Sequence, residues 1–159
     1  MEQKTLSRWL KTIIIGMGLC GLVVYGLILP FGGRDLAAAH PELAHFYWPW
    51  LCFLLATGLP CFAVLALGWR IAGSIGEGRS FSMENAKRLA HISRLAAGDA
   101  GFLFVGNVVL LLMNMHHPSV FIALLAVVFA GVAIAVAAAC LSHLVQKAAA
   151  LQEQSDLTI

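Results

Sequence analysis

The sequence predicts an all-α membrane protein: four transmembrane helices with both ends cytoplasmic, the third and fourth extended into the cytoplasm. Three observations predict it. Of the 159 residues, 60% are hydrophobic and only 11% charged, whereas a soluble domain carries roughly a quarter charged residues. The apolar residues collect into four blocks, at about 12–30, 47–69, 95–115 and 120–143, each near the ~20 residues that cross a hydrocarbon core of ~30 Å. The basic residues are also lopsided. Lys4, Arg8 and Lys11 precede the first block, Arg70, Arg79, Lys87, Arg88 and Arg94 lie between the second and third, and Lys147 follows the fourth. Only Arg34 sits in a loop of the other side. The positive-inside rule then puts both ends and the central segment in the cytoplasm. Residues 1–159 read as one integral membrane domain.

In the first polar stretch, basic residues flank Trp9, a suitable interfacial anchor. The first span follows from Thr12 to Pro30. Thr12, Gly16 and Cys20 recur every four residues and predict a small-residue face for close helix approach. Ala37, Ala38 and Ala39 resemble a cleavage site, but the apolar run is too long and too distant from them for a signal peptide, so the span is expected to be retained. A loop from Phe31 to Phe46, with Gly32, Gly33 and Pro41, leads to Tyr47, Trp48 and Trp50 at the next boundary. The second span ends at Trp69-Arg70, and Pro60, just after Gly58, predicts a kink within it.

The glycines of the segment IAGSIGEGRS follow no strand and reach no G-K-S/T ending, so they predict a flexible connector rather than a phosphate loop. Residues 79–97 then form a cytoplasmic amphipathic segment. Ser82 is a good N-cap, Phe81 a hydrophobic staple, and Glu84 puts negative charge in the first turn. Glu84, Lys87, Arg88, His91 and Arg94 line one helical face, and Ala86, Leu89, Ala90, Ile92 and Ala96 largely the other. The third span ends at a short loop, HHPS. In the fourth, Ala126, Ala130, Ala133 and Ala137 predict a packing stripe. Helical spacing continues into the tail, 144–159, through Leu144, Ala148 and Leu151, and the final QSDLTI is expected to fray or dock. A helix from Met83 is ~50 Å long and one to Gln154 ~54 Å, well beyond the bilayer core. Either the two project together as a stub, or Gly98 bends the first flat onto the lipid surface.

Few residues suggest chemistry. Asp99 and Asn107, eight apart, share one side of the third span, and intramembrane polar groups are functional candidates by default. Asp99 is placed about one turn inside the cytoplasmic boundary, within reach of Arg94, Lys11 and His143, which predicts a register-fixing pair. Asn107 is deeper and predicts an interhelical hydrogen bond. His40, His45, His116 and His117, with Met113, Met115, Asp35 and Glu42 near, are weak candidate ligands for zinc or copper, because their spacing is not that of a tight site. They are not placed as facing pairs within the spans, so no haem is predicted. Cys20, Cys52, Cys61 and Cys140 lie in apolar blocks without a C-x-x-C pair and read as buried thiols. No nucleophile has a convincing base, so neither an enzyme nor a cofactor is predicted.

The segment G-x-G-R-S-F-S-M-E-N-A-K-R-L, the later His-Ile-Ser and the ending A-A-A-L-Q-E-Q-S-D-L-T-I resemble a bacterial family of four-span membrane proteins, the YoaS-like family, whose function is unknown. Phe81, Ser82, Glu84, Asn85 and Leu89 match its F-S-x-E-N-x-x-x-L segment. Asp156, Leu157, Thr158 and Ile159 match its acidic terminus. The resemblance implies residence in the bacterial inner membrane and a gene neighbour of the Cro/CI helix-turn-helix type.

Together these readings predict a membrane-embedded regulator or adaptor. Its partner-binding residues are Phe81, Ser82, Glu84, Asn85, Lys87 and Arg88, with Asp156, Leu157 and Ile159. Any DNA contact would belong to the helix-turn-helix partner, since the chain has no DNA-reading motif. A plainer account of the basic face is attraction to anionic headgroups, about 1 kcal/mol per charge. The alternative is a small transporter or metal-handling protein using Asp99 and Asn107 or the histidines. A third possibility, supported by the small-residue faces, is assembly as a homo-oligomer.

Overall fold

A computed structural model describes residues 2–115 and 117–157. Among these there is no strand, and four helical stretches are long and apolar enough to cross a membrane. They are built from α1 (Gln3–Val23), a π-helical turn (Val24–Ile28), α2 (Leu29–Ala39), a 3-10 segment (Pro41–Phe46), α3 (Tyr47–Gly76), α4 (Met83–Leu112) and α5 (Pro118–Leu157).

The first span differs from its expected form. It does not end at Pro30, and most of the expected loop is helical. Pro30 lies in the first turn of α2, where its missing N–H costs least. The wider π turn just before it accommodates the local break in hydrogen bonding. Pro60, by contrast, lies inside α3, which stays helical on both sides of it.

The helices form an open row. α1 packs on α3, α3 on α4 and, most extensively, α4 on α5, while α1 and α5 share no comparable face. Glycines make the α1–α3 approach possible. Gly21 faces the Phe62 ring, Gly58 receives Tyr25, Gly68 receives Ile14 and Gly76 receives Ser7. Ser7 Oγ donates to the Ala72 carbonyl at 2.6 Å. The expected Thr12, Gly16 and Cys20 face points away from the protein. Gly16 has nothing near it, Cys20 is exposed, and Thr12 bonds its own helix at Arg8.

The α4–α5 pair is antiparallel and keeps one register throughout. Ser142 Oγ donates to the Ala86 carbonyl at 2.7 Å, Ser93 Oγ to Ala135 at 2.8 Å, and Asn107 Nδ2 to Phe121 at 3.1 Å. Each step down α4, seven residues and then fourteen, is matched by the same step up α5. Ala100, Val128 and Ala149 are buried at the intermediate and continuing positions of the same series. This is the seven-residue seam of a coiled coil, built here from small residues. Ala126, Ala130, Ala133 and Ala137 are exposed on the opposite side, so the packing stripe runs instead through Val128, Gly131, Ala135 and Ala138. α5 is apolar all round, and its own pattern cannot say which side packs.

Leu54, Ala100, Leu103 and Val128 form the buried cluster at the centre of α3, α4 and α5, with Phe53 against it. A Cβ at Gly106 would lie 2.1 Å from the Phe53 ring. Gly106→Ala is therefore expected to cost about 1–3 kcal/mol. Phe53→Ala should recover part of that loss in the double variant, as read by thermal unfolding in detergent.

Candidate functional site

The end of the row that holds Gln3, the α3–α4 connector and Leu157 also holds nearly all the basic residues. The connector was expected to be flexible, yet it is closed by hydrogen bonds. Gly78 has φ +79°, a left-handed conformation that glycine adopts without steric cost. The N–H of Gly78 reaches Ile75 and that of Arg79 reaches Ser74, the paired bonds that terminate a helix at a left-handed glycine. Glu77 pairs with Arg79, whose hydrogen bond and charge hold the Glu77 carboxyl below its ordinary range. Ser82 then caps α4 by accepting from the Asn85 N–H at 3.2 Å, as its sequence position predicted.

Asn85 is the hub of this connection and only 1% exposed. Its side-chain amide donates to Ser74 Oγ, the Arg79 carbonyl and the Ser80 carbonyl at 3.0–3.2 Å. Its Oδ1 accepts from Arg88 Nη1 at 3.1 Å. Arg88 also pairs with Glu84. Asn85 thus faces the protein interior and holds the surface without forming part of it. Phe81 is 60% exposed, and Lys87 and Glu84 are exposed beside it.

Beyond Ala149, the last buried member of the seam, α5 continues with every described residue exposed. From Ala150 to Leu157 that is about 12 Å of helix. Leu151 (66%) and Leu157 (87%) stand open on it, with Asp156 exposed between them. Ile159 lies outside the described residues. α4 passes through Gly98 unbroken, so it stays against α5 instead of folding flat.

Asp99 lies further along α4 than the basic residues of that helix. Arg88 reaches the Arg70 carbonyl on α3, and Lys11 lies 5.2 Å over the Trp69 ring. These residues mark one polar belt. Asp99 is eleven residues beyond Arg88, ~16 Å along the helix. It forms no ion pair with Arg94, Lys11 or His143. Instead its Oδ2 lies 3.6 Å from Cys61 Sγ. Cys61 is 3.8 Å from the Tyr25 hydroxyl, which is 3.0 Å from Thr57 Oγ1. Thr57 Oγ1 is in turn 2.7 Å from the Leu54 carbonyl. Tyr25, Thr57 and Cys61 were missed as site residues. The available signal was a hydroxyl or thiol inside each of two apolar blocks. Asn107 makes the interhelical bond expected of it, and it is fully buried, with no partner for Oδ1 among the described residues.

At the opposite end, the His40 and His117 rings stack with centroids 6.5 Å apart, and His40 Nδ1 is 3.2 Å from Glu42. With Met115, Tyr47 and Trp50 they line a cavity of about 230 Å³. His45 lies against Phe46 instead, and His116 is outside the described residues. Among the described residues no three His, Cys, Asp or Glu side chains converge to hold a metal ion.

Residues 31–159, which include the connector, Asp99 and the extension of α5, match the family described as a protein of unknown function, DUF2975. The chain belongs to the DUF2975 family. It is also 25% identical to the uncharacterized membrane protein YoaS of Bacillus subtilis (strain 168), over 160 aligned residues that cover 99% of each chain. That alignment takes in the first span as well. No solved structure matches the chain.

Proposed function

We propose that this DUF2975 member is an adaptor of the bacterial inner membrane, with its basic end in the cytoplasm, where it holds a small helix-turn-helix regulator. The observation that carries this reading is the projection of α5 beyond the hydrogen-bonded connector, with Leu151 and Leu157 exposed on it. A helix end inside the bilayer has every reason to show leucines. One beyond the polar belt does not, unless another surface covers them. Phe81, on the connector itself, adds a further exposed apolar side chain at the same end. Lys87, Glu84 and Asp156 supply charges that set orientation more than affinity. The uneven placement of Lys and Arg supports the orientation, and the sequence resemblance supplies the partner class.

The test is co-purification of the intact protein with the helix-turn-helix regulator encoded beside its gene. A version lacking Ser155–Ile159 and a Phe81→Ser, Lys87→Glu version are compared with it. Each is expected to lose at least about tenfold in recovered regulator, the effect of losing about 1.4 kcal/mol. Asn85 is left intact, since changing it would disturb the connector. If the regulator does not associate with the unaltered protein, or if both variants retain it fully, the adaptor reading is wrong.

A further inference from the structure

The chain of polar groups that ends at Asp99 has a property its members lack singly. Tyr25 has one hydroxyl hydrogen and two neighbours, Thr57 Oγ1 and Cys61 Sγ. It can donate to only one of them at a time. Two limiting arrangements follow, one for each charge state of Asp99. In the first, Thr57 turns from the Leu54 carbonyl to donate to Tyr25, Tyr25 donates to Cys61 and Cys61 to Asp99, so that every hydrogen points toward a carboxylate. In the second, a protonated Asp99 donates to Cys61, Cys61 to Tyr25, Tyr25 to Thr57, and Thr57 to the Leu54 carbonyl, an acceptor already 2.7 Å away. Each hydrogen stays on its own heavy atom and only turns about a C–O or C–S bond. The chain therefore offers a hydrogen-bonded partner to Asp99 in both of its charge states.

We infer that Asp99 is a reversible proton-binding site within the bilayer, with Cys61, Tyr25 and Thr57 as the chain that reverses when the proton arrives or leaves. The groups around it fit a proton better than a fixed ion pair. α3 contributes Cys61, and the turn after α1 contributes Tyr25. α5 presents apolar Val128 and Val132 beside the same part of α4. On α4 itself the nearest charge is Arg94, exposed and five residues toward the basic end. His143 belongs to the level of Ala86, where Ser142 is bonded. Asp99 is only half-buried, so its carboxyl is open to a small apolar reagent from the free side of the row. The inference does not depend on the adaptor reading.

The site is testable with dicyclohexylcarbodiimide, an apolar reagent that modifies protonated carboxyls in lipid. The full-length protein is reconstituted in phosphatidylcholine vesicles, exposed to the reagent from about pH 5 to about pH 9, both above the ordinary aspartate value, and mapped by peptide mass spectrometry. A single adduct on Asp99 is expected, with its rate falling as pH rises. Cys61→Ala and Tyr25→Phe should each change that rate at fixed pH roughly fivefold, the effect of one hydrogen bond. Tyr25→Phe keeps the ring against Phe62 and Gly58, so folding is preserved. No adduct on Asp99, a rate independent of pH, or unaltered rates in both variants would overturn the inference. Protection by sodium or potassium at constant pH would also overturn it, in favour of a metal-cation site.

Discussion

Asn85→Ala is expected to cost about 3–4 kcal/mol, more than any exposed substitution in the central segment. The substitution removes one bond each from Ser74 Oγ, the Arg79 and Ser80 carbonyls and Arg88, although Ser74 and Arg79 stay bonded to each other and Arg88 keeps Glu84. Each bond lost costs about 0.5–1.5 kcal/mol, and water reaching some of the groups limits the sum. Unfolding followed by loss of helical signal in mild detergent should show the decrease. Ser82→Ala removes only the cap bond to the Asn85 N–H and should cost about 1 kcal/mol. Equal losses in the two variants would mean that Asn85 is only an ordinary first-turn residue.

Gly131→Leu is expected to have a similar or larger effect by forcing α4 and α5 apart. A Cβ alone at this position would lie 3.2 Å from the Ala100 Cβ and 3.9 Å from its Cα, so the obstacle includes main chain that cannot turn aside. Overpacking costs typically 1–3 kcal/mol and occasionally more. Here the separation also strains the Ser93 and Asn107 bonds on either side of the wedge. The control is Ala130→Leu on the exposed side, expected to be neutral within ~0.5 kcal/mol. A destabilised Ala130→Leu beside a tolerated Gly131→Leu would reverse the assignment of the two faces of α5.

The four spans were legible because hydropathy alone decides where a helix can cross a bilayer. Ser82 was legible as a cap for a similarly local reason. What failed depended on a neighbour distant in sequence. The α5 stripe was assigned to Ala126 and its companions because small residues recur there. A helix apolar all round gives no phase, and the phase comes from Ala86, Ser93 and Asn107 on α4. Asn85 belongs to a polar run and looked like surface. Its burial follows from Ser74 and Arg79 at the end of α3. Asp99 looked like half of an ion pair because basic residues precede it on its own helix, while its partner, Cys61, belongs to α3.

The unbroken α5, forty residues and ~60 Å long, behaves mechanically as a lever. A tilt of roughly 5° about its start at Pro118 would carry Leu157 through about 5 Å, on the order of one helical turn. The uniform seven-residue seam leaves no joint where that displacement could be absorbed, so α4 must swing with it. Because α1 lies at the far edge of the row, such a swing meets lipid on one side and α3 on the other. Motion begun beside His117 would thus arrive amplified at the opposite end, with no segment having to unfold.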